Sequence, residues 1–236
     1  MKHGFIRFRT EQPDYTSLTH REFDWARTVY GNVREELPKD SPEPLGKPVV
    51  LTSYVDANLH HDMVTGRSVT AVMHFVNQTP LEWFSKKQPT VETATYGSEF
   101  VAAKTAVQQV MGIPTYLRYL GVAIEGPTHL FGDNGSVVTS GSLPHSPLRK
   151  RHHALSYHYT REAIASGAVD FQFLPGHLNP ADILSKHWGY QQVWSSALRP
   201  ILFWQGDTSD LLSGHEQPTG RKDRPPGNNG EKAASG

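Results

Sequence analysis

The sequence predicts an α/β fold built on a mixed five-stranded sheet, with the element order βββαβαβα. Three segments rich in β-branched and aromatic residues follow one another over residues 49–88 with only short turns between them, which is typical of an antiparallel meander. From residue 98 onward apolar residues recur at helical spacing, and helical and extended segments alternate. This alternation predicts two further strands that run parallel within the same sheet, with helices flanking it.

The meander begins with VVLTSYVDAN, which predicts a strand near residues 49–58 whose last inward-facing side chain is Asp56. A turn at Gly66 separates it from the second strand, in GRSVTAVMHFVNQ, and a turn at Pro80 precedes the third strand, in LEWFSKKQ. Strands joined by such short connections pair as antiparallel neighbours.

The period of the pattern then changes from that of a strand to that of a helix. In SEFVAAKTAVQQVM the apolar residues recur every three or four positions over residues 100–110. Ser98 is predicted to cap this helix, which would place Glu99 in its first turn. Gly112 and Pro114 are expected to break or kink the helix.

The second half of the chain alternates strands and helices. THLFGDN predicts the fourth strand, NGSVVTSG a short helix, and HHALSYHYTREAIASG a longer helix that stops at Gly167. AVDFQFLP predicts the fifth strand. NPADILSKHW is predicted to be a late helix with Asn179 as its cap and Pro180 at its first position.

Composition divides the chain into one domain and two extensions. Residues 1–47 end in a segment of prolines and charges that predicts a linker without regular structure, residues 48–204 form the predicted domain, and residues 205–236 have the composition of a disordered tail. There is no cysteine among the 236 residues, which excludes disulfides and thiolate metal sites, and the formal net charge is zero. No signal peptide or long apolar segment is visible, so we expect neither secretion nor membrane insertion.

Four acidic residues each occupy a segment suited to holding a carboxylate in place. They lie at two strand ends and in two helices, and they are Asp56, Glu99, Asp133 and Asp182. Carboxylates at strand ends and a glutamate on a helix, brought together at one edge of a sheet, can ligate two hard divalent cations. Metal centres of this kind hydrolyse phosphodiesters. Taken singly, any of these aspartates could instead be a turn residue or a helix cap.

The motifs of the sequence, taken together, resemble those of a known family. The strings YVDAN, GRSVTA, WFSKKQ, ATYGSEFVAA, FGDNGSVV, KRHHALSYHYTRE and LPGHLNPADILSKHW occur in order over about residues 49–188. Together they resemble the ribonuclease H domain of copia-type retrotransposon Pol polyproteins, which lies C-terminal to the reverse transcriptase. The resemblance implies a ribonuclease H-like fold and cleavage of the RNA strand of RNA/DNA hybrids by two Mg²⁺ ions, with Mn²⁺ able to substitute.

The resemblance also implies roles for single residues. Asp56 matches the aspartate that bridges both metals, Glu99 the helical glutamate, and Asp133 and Asp182 the two later aspartates of the site. His177 resembles a mobile histidine that helps product leave or orients the attacking water; it could also be a loop histidine without a role. The chain has TATYGSEF where the family usually has STEAEY, so the upstream acidic residue shifts to Glu92, a rival for the role of Glu99.

Binding of the hybrid would require polar and basic residues around the carboxylates. The candidates for contacting nucleic acid are Asn58, Lys86, Lys87, Ser98, Asn134, Lys150 and Arg151, with Arg149 and Arg161 as further basic residues. Short polar side chains could bond a ribose 2′-hydroxyl, and the basic residues could bind phosphates without reading sequence. Each basic residue could equally be part of an ordinary solvated surface.

The sequence therefore predicts an endonuclease that acts on RNA/DNA hybrids during reverse transcription. Integrases of related fold place Asp, Asp and then a late Glu, whereas this chain places Glu99 second, which argues against that alternative. The other alternative is a connection module that has lost activity or depends on the upstream reverse transcriptase. The expected location is cytoplasmic, in a virus-like particle, or nuclear.

Overall fold

The computed structural model describes residues 4–6, 8–18, 23–148, 151–187, 201 and 203–204. The strands are β1 (Gly4–Phe5), β2 (Leu45–Val49), β3 (Leu51–Asn58), β4 (Val69–Val76), β5 (Thr79–Lys87), β6 (Val122–Ile124), β7 (Thr128–Gly132), β8 (Val169–Phe173) and β9 (Phe203–Trp204). The helices are α1 (Thr95–Tyr119), α2 (Gly135–Ser142), α3 (Ala154–Ala165) and α4 (Asp182–Ser185), with 3₁₀ turns at Arg151–His153 and Gly176–Leu178.

The main sheet has five strands in the spatial order β5-β4-β3-β7-β8. The β3, β4 and β5 strands form an antiparallel meander, whereas β3, β7 and β8 pair in parallel. This arrangement confirms the predicted ribonuclease H-like architecture of three antiparallel and two parallel strands flanked by helices. The parallel pairs require crossover connections, and α1 and α3 supply them.

The core lies between this sheet and the helices that cross it. Val55 and Leu130 on the central strands are 1% and 0% exposed, and they belong to the same buried cluster as Phe100 and Val107 of α1. Each such side chain stabilises the fold by roughly 1.5–3 kcal/mol relative to an exposed position. The central strands are therefore anchored in the core directly before the residues at which they end.

The start of α1 differs from the prediction. The helix begins at Thr95 after Ala94, and the Ser98 hydroxyl donates to the carbonyl of Thr95, so the prediction that Ser98 caps the helix is wrong. Glu99 is the fifth residue of α1 and lies beyond the first turn. Apolar periodicity marks the buried face of a helix but does not mark its ends, which explains the error.

The predicted break in α1 is also absent from this fully described helix. The helix continues through Gly112 and Pro114 to Tyr119 and ends before Gly121, whose φ is +74°. Proline removes one helical N–H and usually kinks the chain. Here Pro114 is buried, and the long contact between α1 and the sheet keeps the helix continuous.

Part of the predicted linker forms a strand. The β2 strand begins at Leu45 and pairs in parallel with β6, so the exclusion of regular structure up to Lys47 is wrong for its last three residues. Backbone pairing with a distant strand compensates for poor local propensity. The boundaries at residues 47 and 204 remain predictions, and residues 205–236 lie outside the described part of the chain.

The later elements follow the prediction closely except for the last helix. The fourth and fifth strands and the short helix lie where they were expected, and the longer helix is followed by Gly167 with φ +80°. The last helix begins at Asp182, with Ala181 rather than Asn179 in the capping position. Asn179 instead accepts a hydrogen bond from the backbone of Ala181 and donates to the carbonyl of Val55, which ties this turn to β3. Among the described helices, none combines the length and apolar character needed to cross a bilayer.

Candidate metal centre

Asp56 and Asp133 are brought together by the parallel pairing of two central strands. Val55 of β3 lies opposite Gly132 of β7, so the residues that follow them, Asp56 and Asp133, emerge side by side at one edge of the sheet. Asp56 is 1% exposed, and Asp133 is partly exposed. The parallel pairing of β3 and β7 therefore places two carboxylates next to each other, although they are far apart in the sequence.

The third carboxylate comes from α1, which crosses the sheet at this edge. Glu99 is 6% exposed, and one oxygen each from Asp56, Glu99 and Asp133 can be chosen so that all three lie within 4.8 Å of one another. These oxygens are hard ligands of the kind that Mg²⁺, Mn²⁺ and Ca²⁺ prefer. The three residues line an open cleft of about 680 Å³ that also contains Asn58 and Asn134.

The electrostatics of this cluster favour a bound cation. Burial raises the pKa of the Asp56 carboxyl to about 6; Asp182 and Asp133 add to the rise, while the Ser185 hydroxyl and the Lys186 ammonium oppose it. Burial, followed by the charges of Asp56 and Asp133, raises the pKa of Glu99 well above its usual range. A divalent ion would relieve this accumulation of buried negative charge, so the residues present fit a metal centre.

The fourth predicted carboxylate, Asp182, lies outside that set of three oxygens but is linked to it. The Lys186 ammonium forms an ion pair with Asp182, one helical turn earlier, and lies 3.7 Å from Asp56 Oδ2. The Ser185 hydroxyl donates to the same Asp56 oxygen. Burial alone would lower the pKa of Lys186, but the nearby aspartates raise it.

Lys186 and Ser185 are site residues that the sequence reasoning missed. Asp182 and Lys186 are four residues apart, a spacing at which oppositely charged side chains meet on a helix. That spacing could have predicted the ion pair between Lys186 and Asp182. No sequence pattern could have predicted the contact between Ser185 and Asp56, because it joins residues 129 positions apart.

His177 is placed next to the centre but not among the residues that line the carboxylate cleft. It lies exposed on the 3₁₀ turn Gly176–Leu178 and lines a separate cavity with Tyr54 and Asn179. The preceding residue approaches the centre closely, since a Cβ on Gly176 would lie 2.8 Å from Asp133 Oδ2. The predicted role of His177 remains a prediction.

Two of the residues proposed to contact nucleic acid are buried, which removes them from the surface that a duplex could reach. Ser98 is 0% exposed. Arg161 is 2% exposed, and its guanidinium donates to the carbonyls of Ser140, Leu143 and Pro144, so it holds a loop instead of binding phosphate. The expectations that Ser98 and Arg161 contact nucleic acid are therefore wrong. Their positions near the site in the sequence did not indicate which side of each helix would be buried.

The other candidates among the described residues keep accessible positions. The side-chain oxygen of Asn134 caps α2, and the Asn58 amide bonds His61 and the carbonyl of Ser185. Lys86 and Lys87 are exposed on the edge strand β5, where Lys87 pairs with Asp62, and Arg151 is exposed on its turn. Lys150 and Arg149 lie outside the described residues.

Glu92, the rival of Glu99, belongs to a different cluster. Its carboxylate lies beside His152 and His153, whereas Glu99 is the glutamate that joins Asp56 and Asp133. The position of Glu99 on the sheet-facing side of α1 explains the difference.

Comparisons with known proteins bear on these features. The chain is 27% identical over 141 residues to the retrovirus-related Pol polyprotein from transposon RE2 of Arabidopsis thaliana, and 26% identical over the same length to that from transposon RE1. In both cases the match covers 60% of this chain and 10% of the relative, so the chain spans about a tenth of the length of these relatives. No family model matches the chain.

Solved structures of similar shape include ribonucleases H. An N-terminal RNase H domain from Mycobacterium tuberculosis is 11% identical with a TM-score of 0.46, covering 58% of this chain and 91% of that one. LC11-RNase H1 in complex with an RNA/DNA hybrid is 14% identical with a TM-score of 0.44, covering 57% and 92%. The prototype foamy virus protease-reverse transcriptase is 16% identical with a TM-score of 0.41, covering 74% and 22%.

The sequence motifs, the order of strands in the sheet and the curated relatives agree with one another. The motif resemblance spans about residues 49–188, and both relatives are transposon Pol polyproteins. The resemblance of this chain to the ribonuclease H domain of a retrotransposon Pol polyprotein is thereby confirmed.

Proposed function

We propose that this chain is an endonuclease that hydrolyses the RNA strand of RNA/DNA hybrids during reverse transcription of a retrotransposon. The observation that carries the proposal is the convergence of Asp56, Glu99 and Asp133, from two strand ends and one helix, on a single open cleft. Their oxygens fit a hard divalent ion, and the cleft leaves room for a phosphodiester.

The residues divide the binding of metal between them. Asp56, Glu99 and Asp133 would hold the first Mg²⁺ or Mn²⁺, and Asp182 would complete a second site once Lys186 moves away from it. Two such ions supply an activated water and stabilise the leaving oxygen. The protein holds the carboxylates in place through the β3 and β7 pairing and through the hydrogen bond from Ser185 to Asp56.

The surroundings of the cleft support the proposed substrate, and the similarity to transposon Pol polyproteins supports the proposed partner. Asn58 and Asn134 line it and are positioned to bond a ribose hydroxyl, while Lys86, Lys87 and Arg151 would contact phosphates. The natural partner is the reverse transcriptase of the same polyprotein. The proposed location is cytoplasmic, within a virus-like particle, or nuclear.

The direct test is cleavage of a labelled RNA/DNA hybrid in Mg²⁺. We expect Asp56→Asn and Asp133→Asn each to lower the rate by at least about a hundredfold, because each removes a carboxylate from the centre. The matched control is Asp40→Asn, an exposed position in the N-terminal segment. Undiminished cleavage in both cleft variants would show that the activity resides elsewhere.

One observation favours a second candidate function. Lys186 already supplies a cation to the cluster, which is compatible with a module that binds nucleic acid without cutting it or that cuts only with the polymerase attached. Calorimetry separates the cases, because an inactive module should not bind Mn²⁺ in a way that Asp56→Asn abolishes. A polymerase-dependent module should cleave weakly alone and faster when the polymerase is added.

A further inference from the structure

A second cluster of metal-ligating side chains lies outside the carboxylate centre. The Glu92 carboxylate oxygen Oε2 is 3.5 Å from His153 Nε2 and 3.8 Å from His152 Nε2. The three side chains can each offer one ligand atom such that all three atoms lie within 4.8 Å of one another. They come from two parts of the chain, the segment before α1 and the 3₁₀ turn before α3.

The cluster is built into the protein and is not a chance meeting of surface groups. The side chains of Glu92 and His153 are 6% and 3% exposed, whereas His152 is 61% exposed and closes the cluster on its solvent side. Thr90 donates to the other oxygen of Glu92, and the ring of His60 bonds the Glu92 carbonyl. Glu92 is therefore fixed through both its side chain and its backbone.

The backbone of α1 leaves room for this arrangement. A Cβ on Gly97 would lie 2.6 Å from Glu92 Oε2 and 2.8 Å from the His153 ring. Only glycine at this position lets the carboxylate and the imidazole approach each other against the helix. The first turns of α1 are thus packed directly on the cluster.

The donor set differs in chemistry from that of the carboxylate centre. Two imidazole nitrogens and one carboxylate oxygen suit Zn²⁺, which binds such ligands at about 2.0–2.2 Å, whereas Mg²⁺ prefers oxygen ligands. Three protein ligands would leave a fourth position of a bound ion to water on the exposed side of His152. The two clusters would therefore select different ions.

We propose that Glu92, His152 and His153 form a Zn²⁺ site. The ion would tie the segment preceding α1 to the turn preceding α3 and so fix the N-terminal part of the helix that carries Glu99. This bridging role does not depend on the proposed nuclease activity.

The test is Zn²⁺ binding to the full chain, measured by calorimetry with a competing chelator in the presence of Mg²⁺. We expect one tight Zn²⁺ per chain, with an affinity at least tenfold lower in His152→Ala and in Glu92→Gln. His152 is exposed, so its variant should fold, and circular dichroism would verify this for both. Co²⁺ loaded in place of Zn²⁺ should show the visible absorption of a four-coordinate site, lost in His152→Ala.

Two control variants distinguish this site from other histidines. His145→Ala changes an exposed loop histidine, and His61→Ala changes a ring that lies 4.5 Å, between centroids, from that of His187. Both should bind Zn²⁺ as the parent chain does. The proposal is overturned if the parent chain binds no Zn²⁺, which would leave only a Glu92–histidine contact, or if binding survives undiminished in His152→Ala.

Discussion

At the scale of single residues, the centre is dominated by the cost of burying carboxylates close together. Asp56 and Glu99 are almost completely inaccessible, and the Ser185 hydroxyl and the Lys186 ammonium compensate for only part of that burial. Buried neighbouring carboxylates lower the free energy of unfolding, and such destabilising arrangements are common at functional sites. Two measurements on the metal-free protein follow from it.

The first concerns Asp56 and pH. Its pKa is raised to about 6 in the folded protein, while the pKa of an unfolded aspartate is about 3.9. The unfolded chain therefore loses its proton first, and stability falls as pH rises from about 4 to about 6. Asp56→Asn should raise the free energy of unfolding at pH 7.5 by up to about 3 kcal/mol, and by little at pH 3.

Urea denaturation in a chelator at the two pH values measures this difference. Addition of Mn²⁺ at pH 7.5 should stabilise the parent chain and reduce the advantage of the variant, because only the parent retains the full ligand set. An equal gain at both pH values would show that the effect comes from packing and not from charge.

The second concerns Lys186. Replacing it with glutamine removes the ammonium that neutralises Asp182 and approaches Asp56, so the metal-free protein should melt at a lower temperature. An added cation would no longer compete with an internal one, and Mn²⁺ affinity should rise by roughly three- to tenfold, about 0.7–1.4 kcal/mol. Calorimetry measures the affinity, with the exposed Lys47→Gln as control. Weaker binding would indicate that Lys186 orients Asp182 for the metal.

At the scale of elements, α1 shows how tertiary contacts override local propensity. Gly112 and Pro114 are poor residues for a helix interior, yet the helix passes through both because its buried face is continuous from Phe100 to Pro114. The apolar period predicted that face correctly. It could not predict that packing against the sheet would compensate for the hydrogen bond that Pro114 cannot make.

Two glycines in α1 give a matched comparison. Ala at Gly112 meets only the Tyr116 ring at 3.4 Å, so Gly112→Ala should stabilise the protein by about 0.5–1 kcal/mol through helix propensity. Gly97→Ala has the same gain in propensity but pushes into Glu92 and His153, so it should be destabilising on balance. Thermal melts of the two variants measure the difference, and similar stabilisation by both would mean that the cluster beside Gly97 yields easily.

At the scale of the whole molecule, the N-terminal segment packs on the sheet. The Tyr15 hydroxyl bonds Thr52 Oγ1 at 2.7 Å, and its ring lies against His129 and Phe131. Arg9 donates its backbone N–H to Thr79 Oγ1 at 2.7 Å. The sequence predicted a linker from composition alone. A segment without regular structure has no hydrophobic periodicity, so its contacts with a distant sheet could not be recognised in the sequence.

Removal of this segment should therefore weaken the domain. Tyr15→Phe is expected to cost about 1 kcal/mol through the lost hydrogen bond, and Tyr15→Ala roughly 2–4 kcal/mol through the lost ring. Deletion of residues 1–44 should cost at least as much as Tyr15→Ala. Urea midpoints measure all three, and an unchanged midpoint after the deletion would restore the view of this segment as a free linker.

The sequence by itself determined the fold class and the order of the four carboxylates. It could do so because strand and helix periods are local, and because strand ends in a parallel pair must share an edge. Only the tertiary structure decided that Lys186 and Ser185 contact Asp56, that Ser98 and Arg161 are buried, and that Glu92 lies with two histidines. Contacts such as that between Asp56 and Ser185 join residues 129 positions apart, and their energy depends on packing that no local pattern records.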